Sequence, residues 1–478
     1  MCVFADVLDW MHCIRYDMSV SSFYVENFGC RATQADGAAI EAQFRDKGME
    51  RAVAPEDAEL VVLNTCTVTA SADQDARAAI RRIHRENPGC KIVVTGCYAQ
   101  RAPGEIAALP GVTQVIGNSH KHKLADLAVS SQHFVPLTQL RTAIRELGTV
   151  NPASLFPVEV YVSDIFAHTE LLAAPVFDAA NERTRPNLKV QDGCDNRCSF
   201  CVIPSVRGQS RSLRLEQIVT EVDTLVHAGY REVVISGINL GRWGRDLPST
   251  DVLSNLRIED LVRVILDNTS LEKLRISSVE PMDWSDELIS LMASSPRIAK
   301  HAHVPMQSGS DAVLRRMHRK YRPWHYHEKI EKIRAAIPDA AIGADVMTGF
   351  PGETDAEFEE SRRMVQNLPF TYLHVFTYSA RPGTPAADMP DQVPVEKARE
   401  RNRTLRELAA GKKAAFMRSF VGKTVSAITL NVFDGERTEA LTDNYLKLGV
   451  RGKHSPNCWI DARIEAVEDG SLVGSLCF

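Results

Sequence analysis

The stretch Val190-Gln-Asp-Gly-Cys194-Asp-Asn-Arg-Cys198-Ser-Phe-Cys201-Val-Ile-Pro204 places three cysteines in the spacing CxxxCxxC. The cysteines follow a short strand-like run and lie on a polar loop. Three thiolates can hold three irons of a cubane [4Fe–4S] cluster, which normally takes four cysteines. The next cysteine in the chain is Cys458, so one iron would remain open. We therefore expect a cluster whose open iron can be chelated by a small molecule.

Two other interpretations of the same loop exist: a structural zinc site, and a cluster completed by a distant cysteine. Zinc sites usually pair one CxxC with a second CxxC or with two histidines downstream. No such partner motif follows Cys201 in this sequence. The spacing therefore favours the open cluster.

Length and composition describe a globular protein with several domains. The chain has 478 residues, of which 44% are hydrophobic and 24% charged, and its net charge is −5. This length predicts two to four domains, and the weak net charge leaves any RNA binding to local basic patches. We find no apolar run long enough to span a membrane and no signal peptide in the opening residues. Eleven cysteines without a secretion signal favour the reducing cytoplasm, where thiols serve metals or chemistry.

The first third of the chain repeats one plan three times, a strand that ends in a cysteine. The three segments are SFYVENFGC (22–30), ELVVLNTC (59–66) and KIVVTGC (91–97). Because helical patterns follow these strands, we predict a parallel sheet, in which sites lie beyond the carboxyl ends of the strands. A single cysteine there would usually be a small buried apolar residue. Three in equivalent places predict a second metal or cluster site of Cys30, Cys66 and Cys97, whereas Cys90 at the opposite strand end is expected to pack.

The central half of the chain alternates strands and helices. Predicted strands are 188–190, 232–236, 271–277, 302–306, 342–348 and 373–377, and predicted helices are 215–227, 258–266, 286–293, 311–319, 326–337 and 355–368. Six strand–helix repeats predict a partial TIM-type barrel with its chemistry at the C-terminal mouth. The run Arg315–Arg322 carries five basic residues, which are either a solvated helix end or an RNA phosphate contact.

The CxxxCxxC motif with Phe200 before its last cysteine resembles the signature of radical S-adenosylmethionine (SAM) enzymes. The resemblance implies that the open iron binds the amino and carboxylate groups of SAM, and that Phe200 lies against the adenine. It also implies that an electron from the cluster cleaves SAM to methionine and a 5′-deoxyadenosyl radical. The strand-end loops resemble those that form the SAM pocket, and the candidate lining residues are Gly237, Glu280, Gln307 and Asp345. The two acidic residues among them could instead form structural ion pairs.

The strings NFGCRATQAD, NTCTVT and TGCYAQ resemble the N-terminal domain of the methylthiotransferases, a branch of the radical SAM enzymes. In that family the three cysteines hold a second, auxiliary [4Fe–4S] cluster. Strand-like runs at 424–431, 445–450 and 459–466 predict a small β barrel similar to the RNA-binding TRAM domain that ends these enzymes. The expected domains are residues 20–130 with the auxiliary cluster, a connector at 131–185, a radical SAM core at 186–415 and the TRAM-like domain at 416–478.

The resemblance implies the transfer of a methylthio group to C2 of a modified adenosine beside the tRNA anticodon. SAM would serve as methyl donor and as radical source, and a flavodoxin-type protein could supply electrons. The strings DGCDNRCSFCVIPSVRGQSRS and HVFTYSARPGTPAADMP resemble the group that acts on threonylcarbamoyladenosine (MtaB-type). Isopentenyladenosine in tRNA and an aspartate of a ribosomal protein are alternative substrates. An iron–sulfur RNA-binding or redox-sensing protein without turnover is the alternative outside the enzymes.

Overall fold

The structure is a computed structural model that describes residues 21–129, 157–168, 171, 184–248 and 256–477, together with the backbone of two short strands at 13–15 and 134–136. The chain forms two compact units. The first comprises Met1–Leu172 with Ser205–Arg207, and the second comprises Ala173–Pro204 with Gly208–Phe478. The connector predicted at 131–185 lies largely outside the described residues, and the division into four domains stays a prediction.

The first unit is built on a six-stranded parallel sheet. The strands of the whole unit, in chain order, are β1 (Cys13–Arg15), β2 (Ser22–Asn27), β3 (Glu50–Arg51), β4 (Leu60–Thr65), β5 (Lys91–Gly96), β6 (Val112–Gly117), β7 (Phe134–Pro136) and β8 (Glu159–Tyr161). The sheet has the order β3-β2-β4-β5-β6-β8 with every pair parallel, while β1 and β7 pair separately. Helices lie at Arg31–Asp46, Ala70–Glu86, Cys97–Arg101, Pro103–Ala107 and Leu124–Val129.

The two central strands of this sheet are buried along their whole length and are mostly apolar. Strands β4 (LVVLNT) and β5 (KIVVTG) are buried at every position. Continuous runs of this kind are typical of parallel sheets covered on both faces, because helices of the strand–helix units pack on either side. One core contains Leu63, Ile80 and Val94, and the other contains Val62, Ile40 and Val93. The predicted parallel sheet is confirmed.

The central part of the second unit carries six parallel strands in two sheets. Its strands are β9 (Asn187–Asp192), β10 (Arg211–Ser212), β11 (Glu232–Gly237), β12 (Lys273–Ile276), β13 (His301–His303), β14 (Ala341–Thr348) and β15 (Tyr372–Thr377). The sheets have the orders β10-β9-β11-β12 and β13-β14-β15, and β10 alone runs antiparallel. A parallel bridge between Ser278 and His303 continues the first sheet into the second. Helices lie at Leu215–His227, Ile258–Asn268, Asp286–Ser294, Asp311–Arg316, Pro323–Ala336, Asp355–Asn367 and Val395–Arg418. The short helix Ile203–Arg207 belongs to this unit only at its start, since Ser205–Arg207 are part of the first unit.

The last part of the second unit is a closed five-stranded barrel. Its strands are β16 (Thr424–Phe433), β17 (Arg437–Thr442), β18 (Lys447–Arg451), β19 (Trp459–Glu468) and β20 (Ser471–Leu476), in the order β16-β17-β18-β20-β19. The predicted succession of a parallel sheet, six strand–helix repeats and a small C-terminal barrel is thus confirmed. Among the helices of the described residues, none is long and apolar enough to cross a membrane.

Candidate functional site

The first three predicted cysteines lie at the carboxyl ends of neighbouring strands in the first unit. Cys66 directly follows β4, Cys97 directly follows β5, and Cys30 lies three residues beyond the end of β2. Registers Asn27–Asn64 and Thr65–Gly96 place these strand ends side by side. Cys66 and Cys97 are buried and Cys30 is exposed. The structure therefore brings the three thiols to one edge of the sheet, as the sequence predicted.

Glycines immediately before two of these cysteines make the turn into the site. Gly29 has φ +100° and Gly96 has φ +99°, in the left-handed region that other residues avoid. A Cβ on Gly29 would lie 2.5 Å from the Cβ of Cys66, and one on Gly96 would lie 2.3 Å from the carbonyl oxygen of Thr65. A side chain at Gly29 would overlap the Cys66 side chain and one at Gly96 would overlap the Thr65 backbone, so the cysteine positions depend on glycine.

A buried polar layer holds the elements that carry these cysteines. The Asp36 carboxylate accepts hydrogen bonds from Lys121 Nζ and Arg207 Nη2, each at 3.0 Å. Lys121 also donates to the side chain of Asn64 near the end of β4, and Asn64 donates to the Thr33 carbonyl at 2.7 Å. These residues come from four separate segments, so the ionic layer fixes the strand ends relative to the helix at Arg31–Asp46.

A second group of contacts fixes the loop after Cys66. Thr67 Oγ1 donates to Asp73 at 2.6 Å, and Arg101 donates to both Thr67 and Asp73 at 2.9 Å. Arg101 ends the short helix that begins at Cys97, so these bonds tie the Cys66 loop to the Cys97 helix.

The thiol chemistry of this set suits metal ligands. Burial, with the neighbouring Cys97 thiol as a smaller cause, raises the pKa of Cys66 to about 11. Such a thiol keeps its proton at neutral pH unless a metal cation takes the place of that proton on the sulfur. Metal binding therefore drives deprotonation of the thiol. Asn118 Nδ2 lies 3.5 Å from Cys97 Sγ and can donate to a sulfur ligand there. The residues present therefore fit an iron–sulfur cluster.

The second set, Cys194, Cys198 and Cys201, lies beyond the carboxyl end of β9 in the second unit. Gly193 has φ +72°, and a Cβ there would lie 1.8 Å from the carbonyl oxygen of Gln209. The Cys194 amide donates to the Gly208 carbonyl, and the Cys201 amide donates to the Cys198 carbonyl. The loop therefore folds back on itself and gathers its three sulfurs.

Each sulfur of this set has a nitrogen donor. Asn239 Nδ2 lies 3.6 Å from Cys194 Sγ, Arg319 Nη1 lies 3.2 Å from Cys198 Sγ, and the backbone amide of Ile203 donates to Cys201. Burial raises the pKa of Cys201 to about 12, so this thiol too needs a metal charge to become a thiolate at neutral pH. Donors aimed at sulfur are a usual feature of iron–sulfur sites, and this donor set also fits a cluster.

Within the described residues, no three His, Cys, Asp or Glu side chains are arranged around a single metal ion. A cubane cluster takes each thiolate on a different iron, so its ligands are spread more widely than those of one zinc ion.

Gln191 on β9 connects the cysteine loop to the next strand end, and it was not singled out from the sequence. Its side chain is buried and donates to the carbonyls of Asp192 and Gly193 at 2.9 and 2.8 Å. Its Oε1 accepts from the Asn239 amide at 2.7 Å. A Cβ on Gly237 would lie 2.8 Å from this Oε1, so Gly237 makes room for Gln191.

Glu280 follows β12 and lies beside the second cysteine set. Its carboxylate pairs with Arg319, whose other nitrogen contacts Cys198. Burial raises the pKa of Glu280, and the charge of Arg319 partly offsets that effect. Both residues line a small cleft together with Cys198, Asn196 and Tyr321.

The remaining predicted pocket residues lie on or near β14. Asp345 points to the same side as His303, with 3.4 Å between Oδ1 and Nε2. Gln307 has φ +61°, and its amide donates to the Asp345 carbonyl at 2.8 Å. Phe200 packs edge to face on Phe350, with 6.5 Å between ring centroids. Asp345 thus has a histidine neighbour, as Glu280 has an arginine, and their part in holding SAM stays a prediction.

The basic run at 315–322 is largely engaged within the protein. Arg315 and Arg322 pair with Asp311, Arg316 pairs with Glu357, and Arg319 pairs with Glu280. The structure therefore does not favour a free RNA-binding stripe there.

Comparison with known proteins shows which family this chain resembles. Residues 22–117 match a family described as uncharacterized protein family UPF0004, and residues 188–365 match the radical SAM superfamily. Threonylcarbamoyladenosine tRNA methylthiotransferase MtaB of Bacillus subtilis (strain 168) is 36% identical over 428 residues, covering 89% of each chain. The MtaB of Aquifex aeolicus (strain VF5) is 33% identical, covering 89% of this chain and 96% of the relative. The tRNA-2-methylthio-N(6)-dimethylallyladenosine synthase of Acidothermus cellulolyticus is 35% identical, covering 80% of this chain and 71% of the relative.

A solved structure shows the same fold at low identity. The radical SAM methyltransferase TsrM of Kitasatospora setae, solved with cobalamin and a [4Fe–4S] cluster, has a TM-score of 0.52 at 17% identity, covering 77% of this chain and 74% of that chain. Fold and sequence thus define a radical SAM protein. The chain belongs to the radical SAM methylthiotransferase family, which includes the relatives named MtaB.

Proposed function

We propose that this protein is a tRNA methylthiotransferase that replaces the C2 hydrogen of threonylcarbamoyladenosine, beside the anticodon, with a methylthio group. The observation that carries the proposal is the presence of two separate three-cysteine sets, the first at the carboxyl ends of neighbouring parallel strands and the second on the loop that follows the parallel strand β9. Each set leaves one iron of a cubane without a protein ligand, which simple electron storage does not need. The relatives named MtaB support the choice of nucleoside.

The proposal assigns a role to each predicted residue. Cys30, Cys66 and Cys97 hold the auxiliary cluster, and Cys194, Cys198 and Cys201 hold the radical SAM cluster. Phe200, Gly237, Glu280, Gln307 and Asp345 line the SAM pocket. When bound, these groups supply an electron, a methyl group and a radical able to remove a hydrogen that is not acidic. The protein contributes the alignment of the reactants and the exclusion of water.

The substrate defines the partners. An anticodon-loop base must be unstacked and turned out of the loop to reach a buried site. The C-terminal barrel is proposed to contact the tRNA backbone, as the TRAM-like pattern predicts, and a flavodoxin-type protein is proposed as electron donor. A tRNA substrate also agrees with the predicted cytoplasmic location.

Mass spectrometry of tRNA nucleosides from cells with and without the gene tests reaction and substrate together. We expect selective loss of the methylthio form of threonylcarbamoyladenosine. Loss of the dimethylallyl product instead would assign the chemistry of the relative from Acidothermus cellulolyticus. If no tRNA nucleoside changes, the tRNA proposal is wrong and the ribosomal-protein substrate is tested next.

Cysteine variants of the purified protein test the two assignments separately. With SAM and dithionite, Cys198→Ala should abolish 5′-deoxyadenosine formation, whereas Cys66→Ala should retain it and lose only the methylthio product. Cys90→Ala is the matched control, since this buried cysteine lies at the opposite end of β5. Loss of both activities in Cys66→Ala would contradict two independent clusters. If wild-type protein with both clusters loaded forms no 5′-deoxyadenosine, the result would favour the alternative of an iron–sulfur RNA-binding or redox-sensing protein that is not an enzyme.

A further inference from the structure

Arg319 lies between a cysteine of the second set and an acidic residue. Its Nη1 is 3.2 Å from Cys198 Sγ and its Nη2 pairs with the Glu280 carboxylate. The Arg319 side chain is 5% exposed, and its guanidinium lies over the Tyr321 ring at 4.9 Å. A full positive charge is therefore held next to sulfur in a place that water barely reaches.

The fold builds this contact with several bonds. The helix Asp311–Arg316 stops, and His318 takes φ +57°, which turns the chain toward the cysteine loop. Ser199, next to Cys198, donates its amide to the Met317 carbonyl at 3.1 Å and its hydroxyl to the Arg316 carbonyl at 2.8 Å. The Arg319 amide donates to the Leu314 carbonyl at 2.9 Å. Hydrogen bonds thus hold the segment after the helix against the cysteine loop. The position of Arg319 is fixed both by the loop and by the helix.

The other two sulfurs of this set have neutral donors. Cys194 faces the amide of Asn239 and Cys201 faces a backbone amide. Cys198 alone of the three, within the described residues, has a charged donor aimed at its sulfur. Charges act strongly on each other in a poorly hydrated site, and the reduction potential of a cluster depends on nearby charge and on hydrogen bonds to its sulfurs.

We propose that the Arg319–Glu280 pair sets the reduction potential of the cluster that Cys198 ligates, with Arg319 raising the potential and Glu280 lowering it. A one-electron reductant, the proposed flavodoxin-type donor or dithionite, is oxidised as it gives one electron to the cluster, which becomes more negative while no bond breaks. The cation and its N–H···S bond stabilise the reduced form, and the carboxylate opposes this. In this role Arg319 and Glu280 act through the charges that they place beside the cluster. The inference rests on the proposed cluster at Cys194, Cys198 and Cys201.

The test is a redox titration followed by electron paramagnetic resonance, without SAM, on full-length protein with reconstituted clusters. Cys66→Ala serves as background so that only the second cluster contributes the signal. Arg319→Gln should lower the midpoint potential, with at least a tenfold smaller reduced-to-oxidised ratio at a given potential, which is about 59 mV for one electron. Glu280→Gln should shift the midpoint the opposite way, and Arg319→Lys should fall between wild type and Arg319→Gln.

The matched control is Arg315→Gln. It removes the same charge from the same segment, but the Arg315 side chain is 64% exposed and pairs with Asp311, so its effect should be screened. Equal midpoints for wild type, Arg319→Gln and Glu280→Gln at full iron content would overturn the inference. Midpoint shifts in the same direction for Arg319→Gln and Glu280→Gln would overturn it too. Loss of a positive and of a negative charge should move the midpoint in opposite directions, whereas a general disturbance of the structure would not.

If Arg319→Gln fails to retain its cluster, Glu280→Gln and Arg319→Lys carry the test. An upward shift in Glu280→Gln supports the inference, and its absence overturns it. Failure of the underlying function is distinguishable, because protein whose second cysteine set holds no iron would show no cluster signal in the Cys66→Ala background. In that case the proposed function fails first.

Discussion

At the scale of single residues, the cysteines depend on the glycines before them. Gly29, Gly96 and Gly193 each precede a predicted ligand and each have φ between +72° and +100°. Each also lies against atoms that a Cβ would overlap. The glycine–cysteine pair therefore acts as one unit, in which glycine lets the chain turn and cysteine supplies the sulfur.

Gly193→Ala should prevent cluster assembly at the second cysteine set. The added Cβ would lie 1.8 Å from a backbone oxygen of Gln209, and the residue must also keep φ +72°. Iron content and the visible absorption of reconstituted protein measure the loss. Gly229→Ala is the control, because Gly229 has φ +93° and an added Cβ there would meet no atom within 4 Å, so it tests backbone strain without overlap. Equal iron in both variants would show that the turn at Gly193 is not needed.

Lys91 should make stability depend on pH in the alkaline range. Burial lowers the pKa of Lys91 to about 8, with a smaller opposite effect from Glu159. Between that value and 10.5 the unfolded chain binds the proton and the folded chain does not, so the free energy of unfolding rises with pH there. The gain is at most about 3–4 kcal/mol, since one pKa unit is worth about 1.4 kcal/mol.

Denaturation of wild type and Lys91→Met at several pH values between 8 and 10.5 checks this. Wild type should gain stability relative to the variant as the pH rises. Lys47→Met removes an exposed lysine and serves as the control. A constant difference between wild type and Lys91→Met would contradict a lowered pKa.

The cysteines could be predicted from the sequence, whereas their partners could not. Spacing and strand-end position identify thiols without knowledge of distant contacts. Arg319 sits in a basic run that is usually solvated, and its burial depends on Glu280, 39 residues earlier. Gln191 and Asn239 are ordinary polar residues until the fold brings them together at 2.7 Å. Such contacts leave no periodic signal in the sequence.

At the scale of elements, sequence periodicity located the six predicted helices of the central half but missed the ends of some of them. The helix predicted at 311–319 ends at Arg316, because His318 adopts a left-handed conformation. The helix predicted at 326–337 begins at Pro323, which is favoured in a first turn because it needs no amide donor. In the C-terminal barrel, β17 (RTEALT) and β20 (SLVGSL) were missed since short strands with few large apolar residues carry a weak signal.

Thr354→Ala should loosen the start of the helix Asp355–Asn367. Thr354 Oγ1 accepts from the Glu357 amide at 3.2 Å, and Glu357 accepts from the Thr354 amide at 2.8 Å, which together form a capping box. Loss of such a cap costs about 1 kcal/mol, so first-turn amides should exchange roughly fivefold faster with solvent. Thr220→Ala, in the middle of an exposed helix face, is the control. Unchanged exchange in Thr354→Ala would show that tertiary contacts alone hold this turn.

At the scale of the second unit, the C-terminal barrel docks against the amino ends of the parallel strands β12, β13 and β14. The cysteine loop lies at the opposite, carboxyl end of β9, a strand of the same sheet as β12. Tyr445 has φ +68° and lies in the turn between β17 and β18. Its ring is 4.6 Å from the ring of His301, which begins β13, and 5.1 Å from the guanidinium of Arg275. Asn444 donates to the Asp339 carbonyl at 2.9 Å. The order of these domains could be predicted from the sequence, but this docking could not, because it joins residues over a hundred positions apart.

Tyr445→Ala should loosen the docked barrel without unfolding the central strands. The aromatic ring fills the space between His301 and Arg275, and its removal leaves a void and an unshielded buried charge pair of Arg275 with Glu232. Hydrogen exchange should therefore accelerate in 437–451, which holds β17 and β18, while β14 keeps its protection. Trp324→Ala removes a larger ring that is 58% exposed, so it should leave both regions unchanged. If the amides of β14 lose protection together with those of β17, the central sheets and the C-terminal barrel unfold as one cooperative body and Tyr445 is part of a shared core.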